Sequence, residues 1–120
     1  MAPAYWLAPE VALGNTSLVD PLTNPNVFYQ YRAADIWSFG CTVVEMATGY
    51  PPFYDSRRPN RSELEVLIEI VTAFEPRYDI PSETSSPELK EMLTKVFDRN
   101  VKTRPTTEDL KSLSYFRHTM

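Results

Sequence analysis

The sequence predicts a mainly α fold of about four helices, with a buried central helix near 33–48. Three observations carry this. Apolar residues return at helical spacing in separate stretches, capping residues stand before them, and prolines open or close each one. The chain has 120 residues, with 11 prolines and only three glycines, Gly14, Gly40 and Gly49. Many prolines and few glycines suit helices joined by stiff, extended connections. No stretch reads as a confident strand, and no internal repeat is present.

Each element follows in order. Proline punctuation opens the chain, and Pro9 to Leu13 reads as a short helix closed by Gly14. Residues 14–32 hold Asn, Thr, Ser, Pro and Tyr without periodicity and read as an extended surface loop. From Ala33 to Thr48, apolar or small residues cover every face of a 3.6-residue helix, which predicts a helix buried all round. Trp37, Phe39, Val43, Val44 and Met46 are expected to face inward, and Cys41 to be a small buried hydrophobe. Gly49 suits the position after the helix, and Pro51-Pro52 forbids continuation. Ser62 to Glu65 fits a capping box ahead of a helix over about 63–74, with Leu64, Leu67, Ile68 and Val71 at i, i+3, i+4 and i+7. Ser86 and Pro87 read as N-cap and first residue of a helix over about 87–97, with Leu89, Met92, Leu93, Val96 and Phe97 inward. A last helix, capped by Thr106 or Thr107, carries Leu110 and Leu113 and ends near Tyr115-Phe116.

Composition narrows the function classes. The chain is long enough for one domain with a real core. Sixteen acidic and 12 basic residues leave a net charge of −4, so the basic footprint needed for nucleic acid is missing. One cysteine and one histidine, Cys41 and His118, exclude an internal disulfide and a clustered Cys/His metal site. No run is long enough to span a bilayer, and no basic leader precedes an apolar stretch. A reducing, cytoplasmic setting is expected. The sequons at Asn15 and Asn60 read as chance matches.

Three segments resemble the second half of a eukaryotic-type protein kinase domain. Tyr5-Trp6-Leu7-Ala8-Pro9-Glu10 is similar to the end of the activation segment, which closes on A-P-E. Asp35-Ile36-Trp37-Ser38-Phe39-Gly40 resembles the D-x-W-S-x-G motif of the family's central helix. Asn100 to Thr106 resembles the arginine-bearing turn before the last helix. They stand in the family's order, with Pro51-Pro52-Phe53 and the capped helix between them. Tyr5 to Glu10 and Gly40 to Gly49 are similar to the serine/threonine kinases of the MAP kinase kinase kinase type. The resemblance covers residues 1–120 except the loop at 14–32, and it implies a partial C-lobe of the kinase fold.

The resemblance implies roles for particular residues. Glu10 and Arg104 would form a structural ion pair, bidentate because carboxylate and guanidinium match in shape; on spacing alone they read as independent surface charges. Asp35 would anchor the catalytic loop, with simple helix capping as the alternative. Pro3, Ala4, Tyr5 and Trp6 would form the loop that receives the substrate residue after the phosphorylated one. Tyr5 is open between that role and core packing, and Trp6 is expected in the core. Pro3 stands where the family carries a threonine that goes with serine/threonine specificity, and Met1-Ala2 replaces the expected glycine region.

The phosphoryl-transfer machinery is expected to precede residue 1. There is no G-x-G and no H-R-D, and Ser38-Phe39-Gly40 is not D-F-G. The chain alone is therefore expected to carry no catalytic residue and to bind no cofactor or metal, with ATP and Mg²⁺ belonging to the complete domain. Its partners would be a protein substrate or the missing kinase half. A noncatalytic interaction module, docking through the 63–74 helix and the long loop, is the alternative.

Overall fold

The computed structural model describes residues 3–13 and 27–117, with side chains over 4–13 and 32–116. A 3₁₀ helix, Pro3–Trp6, is followed by α1 (Pro9–Ala12), α2 (Val27–Thr48), α3 (Glu63–Thr72), α4 (Pro87–Val96), α5 (Thr107–Lys111) and α6 (Ser114–Arg117). No strand occurs among the described residues, so the class is mainly α.

The central helix α2 starts earlier than the periodicity suggested. It begins at Val27, so the loop expected at 14–32 is helical over its last six residues, 27–32. Residues 14–26, including Gly14, lie outside the described residues. At the far end Gly49 takes φ +88°, a left-handed value glycine adopts at no steric cost, and the helix stops there.

Burial on every face of α2 is corrected. Ala33, Trp37, Cys41 and Val44 lie on the buried side. Arg32, Asp35, Thr42 and Met46 form an exposed stripe, with Met46 81% and Phe39 38% exposed. Only Trp37 and Val44 of the five bulky residues expected inward are fully buried; Val43 is half-buried. Phe39 and Met46 stand on the exposed side among Arg32, Asp35 and Thr42, and the described residues cover the helix on the other.

Gly40 lies against the C-terminal end of α4. A Cβ there would meet Val96 Cγ2 at 2.7 Å and Phe97 Cε1 at 2.9 Å. The helices pack tightly because this position has no side chain. Trp37 lies against Phe97 edge-on, ring centroids 5.0 Å apart.

Helix α3 buries a different face from the one its spacing suggested. Val66 and Ile70 are fully buried, whereas Leu64 and Ile68 are 66% and 53% exposed. Six of its ten residues are apolar, so more than one stripe satisfies the period, and packing against the 3₁₀ helix and α1 selects Val66 and Ile70. Ser62 Oγ accepts the Glu65 N–H at 3.2 Å, but Glu65 turns its carboxylate to the Ser62 hydroxyl rather than the backbone, so the box is half made. The helix ends at Thr72 rather than near 74, because Ala73 turns to extended backbone. Arg99 takes over the freed carbonyls, with Nη1 donating to Ile70 O and Ala73 O and Nη2 to Val71 O, at 2.6–2.8 Å.

Helix α4 follows expectation: Ser86 Oγ accepts the Leu89 N–H, Pro87 is the first residue, and Leu89, Met92, Leu93 and Val96 are buried. The single last helix is corrected to two short ones. Thr106 and Asp109 form the reciprocal capping box that opens α5. The Ser112 hydroxyl donates to Asp109 O at 2.7 Å, and the helix breaks there before α6.

Candidate functional site

The Pro3–Trp6 turn is held from behind at several points. Ala4 and Tyr5 are buried and Trp6 is half-buried. The Ser38 hydroxyl of α2 donates to the Trp6 carbonyl at 2.8 Å. Tyr5 packs against Trp6 at 6.5 Å and Tyr54 at 6.0 Å, and the Arg61 guanidinium carbon lies 5.9 Å from its ring centre. A guanidinium over the ring face is attracted by the ring quadrupole, which helps to hold Tyr5 in place. Pro3 is the first residue of the turn.

Arg61 belongs to a network that also fixes Phe53. Phe53 takes φ +71°, uncommon for a residue with a bulky side chain. Its N–H donates to Arg77 O at 2.7 Å, and its carbonyl accepts from Arg61 Nη2 at 2.9 Å and Arg77 Nη2 at 2.8 Å. Glu69 joins the two arginines through Arg61 Nη1 at 2.6 Å and Arg77 Nη2 at 3.0 Å. Burial works against the Arg61 charge, but the Glu69 carboxylate and the Tyr5 phenol together outweigh it and the guanidinium is pushed up. Burial likewise opposes the Glu69 charge, and Arg77 and Arg61 together hold that carboxyl below its ordinary range.

Arg104 joins the separate motif segments. Its guanidinium meets Glu10 in a fork, Nη1–Oε1 at 2.8 Å and Nη2–Oε2 at 3.0 Å. Nη1 also donates to Ala33 O at 2.7 Å, and Nε to Asp98 O at 2.8 Å. The guanidinium carbon stands 5.3 Å from the centre of the Trp37 ring. The Arg104 side chain is fully buried and that of Glu10 13% exposed, so the pair sits in a low-dielectric setting with every guanidinium nitrogen hydrogen-bonded.

Asp35 does not sit at a helix start. It lies eight residues inside α2, which removes helix capping as its role. It is exposed, on the rim of an open groove of about 800 Å³ between α2 and α5–α6. Ile36, Phe39, Leu110 and Phe116 give that groove its apolar wall. Cys41 is buried, and burial pushes its thiol up to about 12, far from a thiolate nucleophile.

Sequence reasoning missed Ser38 and Arg61, which touch the turn, and Glu69 and Arg77, which tie Arg61 and Phe53 in place. Ser38 stands inside the D-x-W-S-x-G segment, but nothing in its type gave away a bond to Trp6. Arg61, Glu69 and Arg77 follow no helical period, since they meet across a loop, a helix and an extended segment.

The chain matches the protein kinase domain family over residues 2–116, and it belongs to that family. It is similar to mitogen-activated protein kinase kinase kinase 5 of Arabidopsis thaliana, 34% identical over 97% of this chain and 14% of that protein. Serine/threonine-protein kinase 10 of Danio rerio is 36% identical over 88% of this chain and 9% of its own length. Mitogen-activated protein kinase kinase kinase 5 of Homo sapiens is 40% identical over 66% of this chain and 5% of its own length. The chain thus spans a small part of these relatives.

A complete kinase domain implies ATP and Mg²⁺. Gly40 is packed inside α2 and Gly49 follows its end, so neither shapes a phosphate-wrapping loop. Among the described residues no three His, Cys, Asp or Glu side chains converge on a metal position.

Proposed function

We propose that this chain is the substrate-facing helical part of a serine/threonine protein kinase domain. In the complete domain, phosphate passes from ATP to a protein hydroxyl. Here the Pro3–Trp6 turn would receive the substrate residue next to that hydroxyl, and the chain alone is inactive. The observation that carries this reading is the Arg104 clamp, which holds all three motif segments in one geometry. Glu10 comes from the first, Ala33 and Trp37 flank or belong to the second, and Arg104 itself is the third.

The open groove beside Asp35 supports the same reading. A groove walled by Ile36, Phe39, Leu110 and Phe116 is unfavourable in water, and the rest of a kinase domain would cover it. Asp35 is then positioned to anchor the catalytic loop as that loop arrives. Protein, rather than nucleic acid, fits a net charge of −4. No helix among the described residues is long and apolar enough to cross a membrane, and a cytoplasmic location belongs to the proposal.

The test uses the native protein. An antibody raised to residues 54–62 recovers it from its source, its mass is measured, and the preparation is assayed for ATP-dependent phosphorylation of a serine/threonine-containing protein. A product well above 13.8 kDa that phosphorylates serine or threonine is expected. A product of 13.8 kDa without activity overturns the enzymatic reading and leaves a noncatalytic interaction module, docking through the exposed Leu64 and Ile68 of α3.

A further inference from the structure

A second groove, about 1300 Å³, runs between the extended chain after α3 and the body of α4. It contains none of the motif residues. Phe74, Tyr78, Ile80 and Phe97 supply its apolar wall. Tyr78 and Phe97 are in ring contact at 5.7 Å, while Phe74 is 91% exposed. A phenylalanine held that far into water beside an aromatic pair is an apolar surface without a cover.

The charge around this groove is one-sided. Its carboxylates are Glu75, Asp79, Glu83 and Asp98, against the cations Lys90 and Arg99. Arg99 is turned inward, its guanidinium spent on the last carbonyls of α3. Glu75, Asp79 and Glu83 are exposed, and among the described residues none of them is in a salt bridge. Asp98 accepts from the Asn100 N–H and the Thr103 hydroxyl, both neutral, so its charge also stands. The Tyr78 phenol is pushed up by burial and then by the Glu75 charge, which agrees with a negative field over an apolar surface. Such a field repels a second copy of the same acidic face, an anionic membrane and nucleic acid alike. It attracts a cationic chain that also carries apolar side chains.

We propose that this groove docks a basic peptide segment of a partner protein, its apolar side chains seated on Phe74, Tyr78 and Ile80 and its Lys or Arg side chains meeting Glu75, Asp79 and Glu83. This role requires no phosphoryl transfer and stands apart from the kinase reading.

The test titrates the full chain with a fluorescent alternating lysine–leucine peptide, beside its glutamate–leucine counterpart, and locates the site by amide chemical shifts. The lysine–leucine peptide is expected to bind, to shift amides within 74–86, and to weaken with added salt. The exposed triple variant Glu75→Lys/Asp79→Lys/Glu83→Lys is expected to lose at least about tenfold in affinity. Phe74→Ala weakens binding without changing its salt dependence, which keeps the test open if the triple variant fails to fold. The control Glu63→Lys/Glu91→Lys binds as the parent does. No binding at millimolar peptide, equal binding of the glutamate–leucine peptide, shifts confined to another surface, or equal losses in the triple variant and the control each overturn the proposal.

Discussion

Arg104 makes four hydrogen bonds through one buried guanidinium, two to Glu10 and one each to Ala33 O and Asp98 O. A lysine at that position offers one point charge and cannot fork. Arg104→Lys is therefore expected to lose about 2–4 kcal/mol in urea unfolding, and Arg104→Ala about 3–5 kcal/mol, because Glu10 is left buried and unpaired. In a double-mutant cycle with Glu10→Gln, coupling energy near zero would contradict the pair's role. Gly40 gives a prediction of opposite intuition. Alanine favours a helix over glycine by about 1 kcal/mol, yet here its methyl would enter Val96 and the Phe97 ring. Gly40→Ala is expected to destabilise by about 1–3 kcal/mol, read as a lowered melting temperature.

At the scale of the element, caps decide where helices begin. Thr106 accepts from the Asp109 N–H while Asp109 accepts from the Thr106 N–H, at 3.2 and 2.9 Å. Thr106→Ala should cost about 0.5–2 kcal/mol, and more than Ser62→Ala, whose box is half made; equal losses would show that the reciprocal bond adds nothing. Caps and prolines are local, which is why α4 and the start of α5 were legible in the sequence. The faces of α2 and α3 were not. Both helices are apolar on more than one side, so periodicity alone left several choices. What selects Val66 and Ile70 over Leu64 and Ile68 is the 3₁₀ turn that α3 packs on, a neighbour some sixty residues away in sequence. The Arg104–Glu10 contact, ninety-four residues apart, entered the reading only through the family resemblance. The Arg61–Glu69–Arg77 network had no such guide and was invisible until folded.

For the molecule as a whole, stability should fall in acid through an identifiable group. Asp55 is buried, and its carboxylate accepts from Arg57 N at 2.9 Å, with Arg57 Nε and Arg58 Nε at 3.3 and 3.2 Å. The backbone N–H of Arg57, ahead of the two side chains, holds it down from 3.8 to about 2. A folded pKa below the unfolded one contributes stability that is complete above pH 3.8 and disappears as the pH falls toward 2. Asp55→Asn should therefore flatten the acid limb of a melting-temperature profile between those values; an unchanged limb would place the acid sensitivity elsewhere. The overall architecture is a platform: the Pro3–Trp6 turn braced by Ser38 and Arg61, a clamp at Arg104, and an open apolar groove beside Asp35. On the proposed reading, ATP is held by the rest of the complete domain. The most direct test is calorimetric titration of this chain with Mg²⁺–ATP. The platform account predicts no saturable binding into the millimolar range, whereas micromolar, magnesium-dependent binding would contradict it.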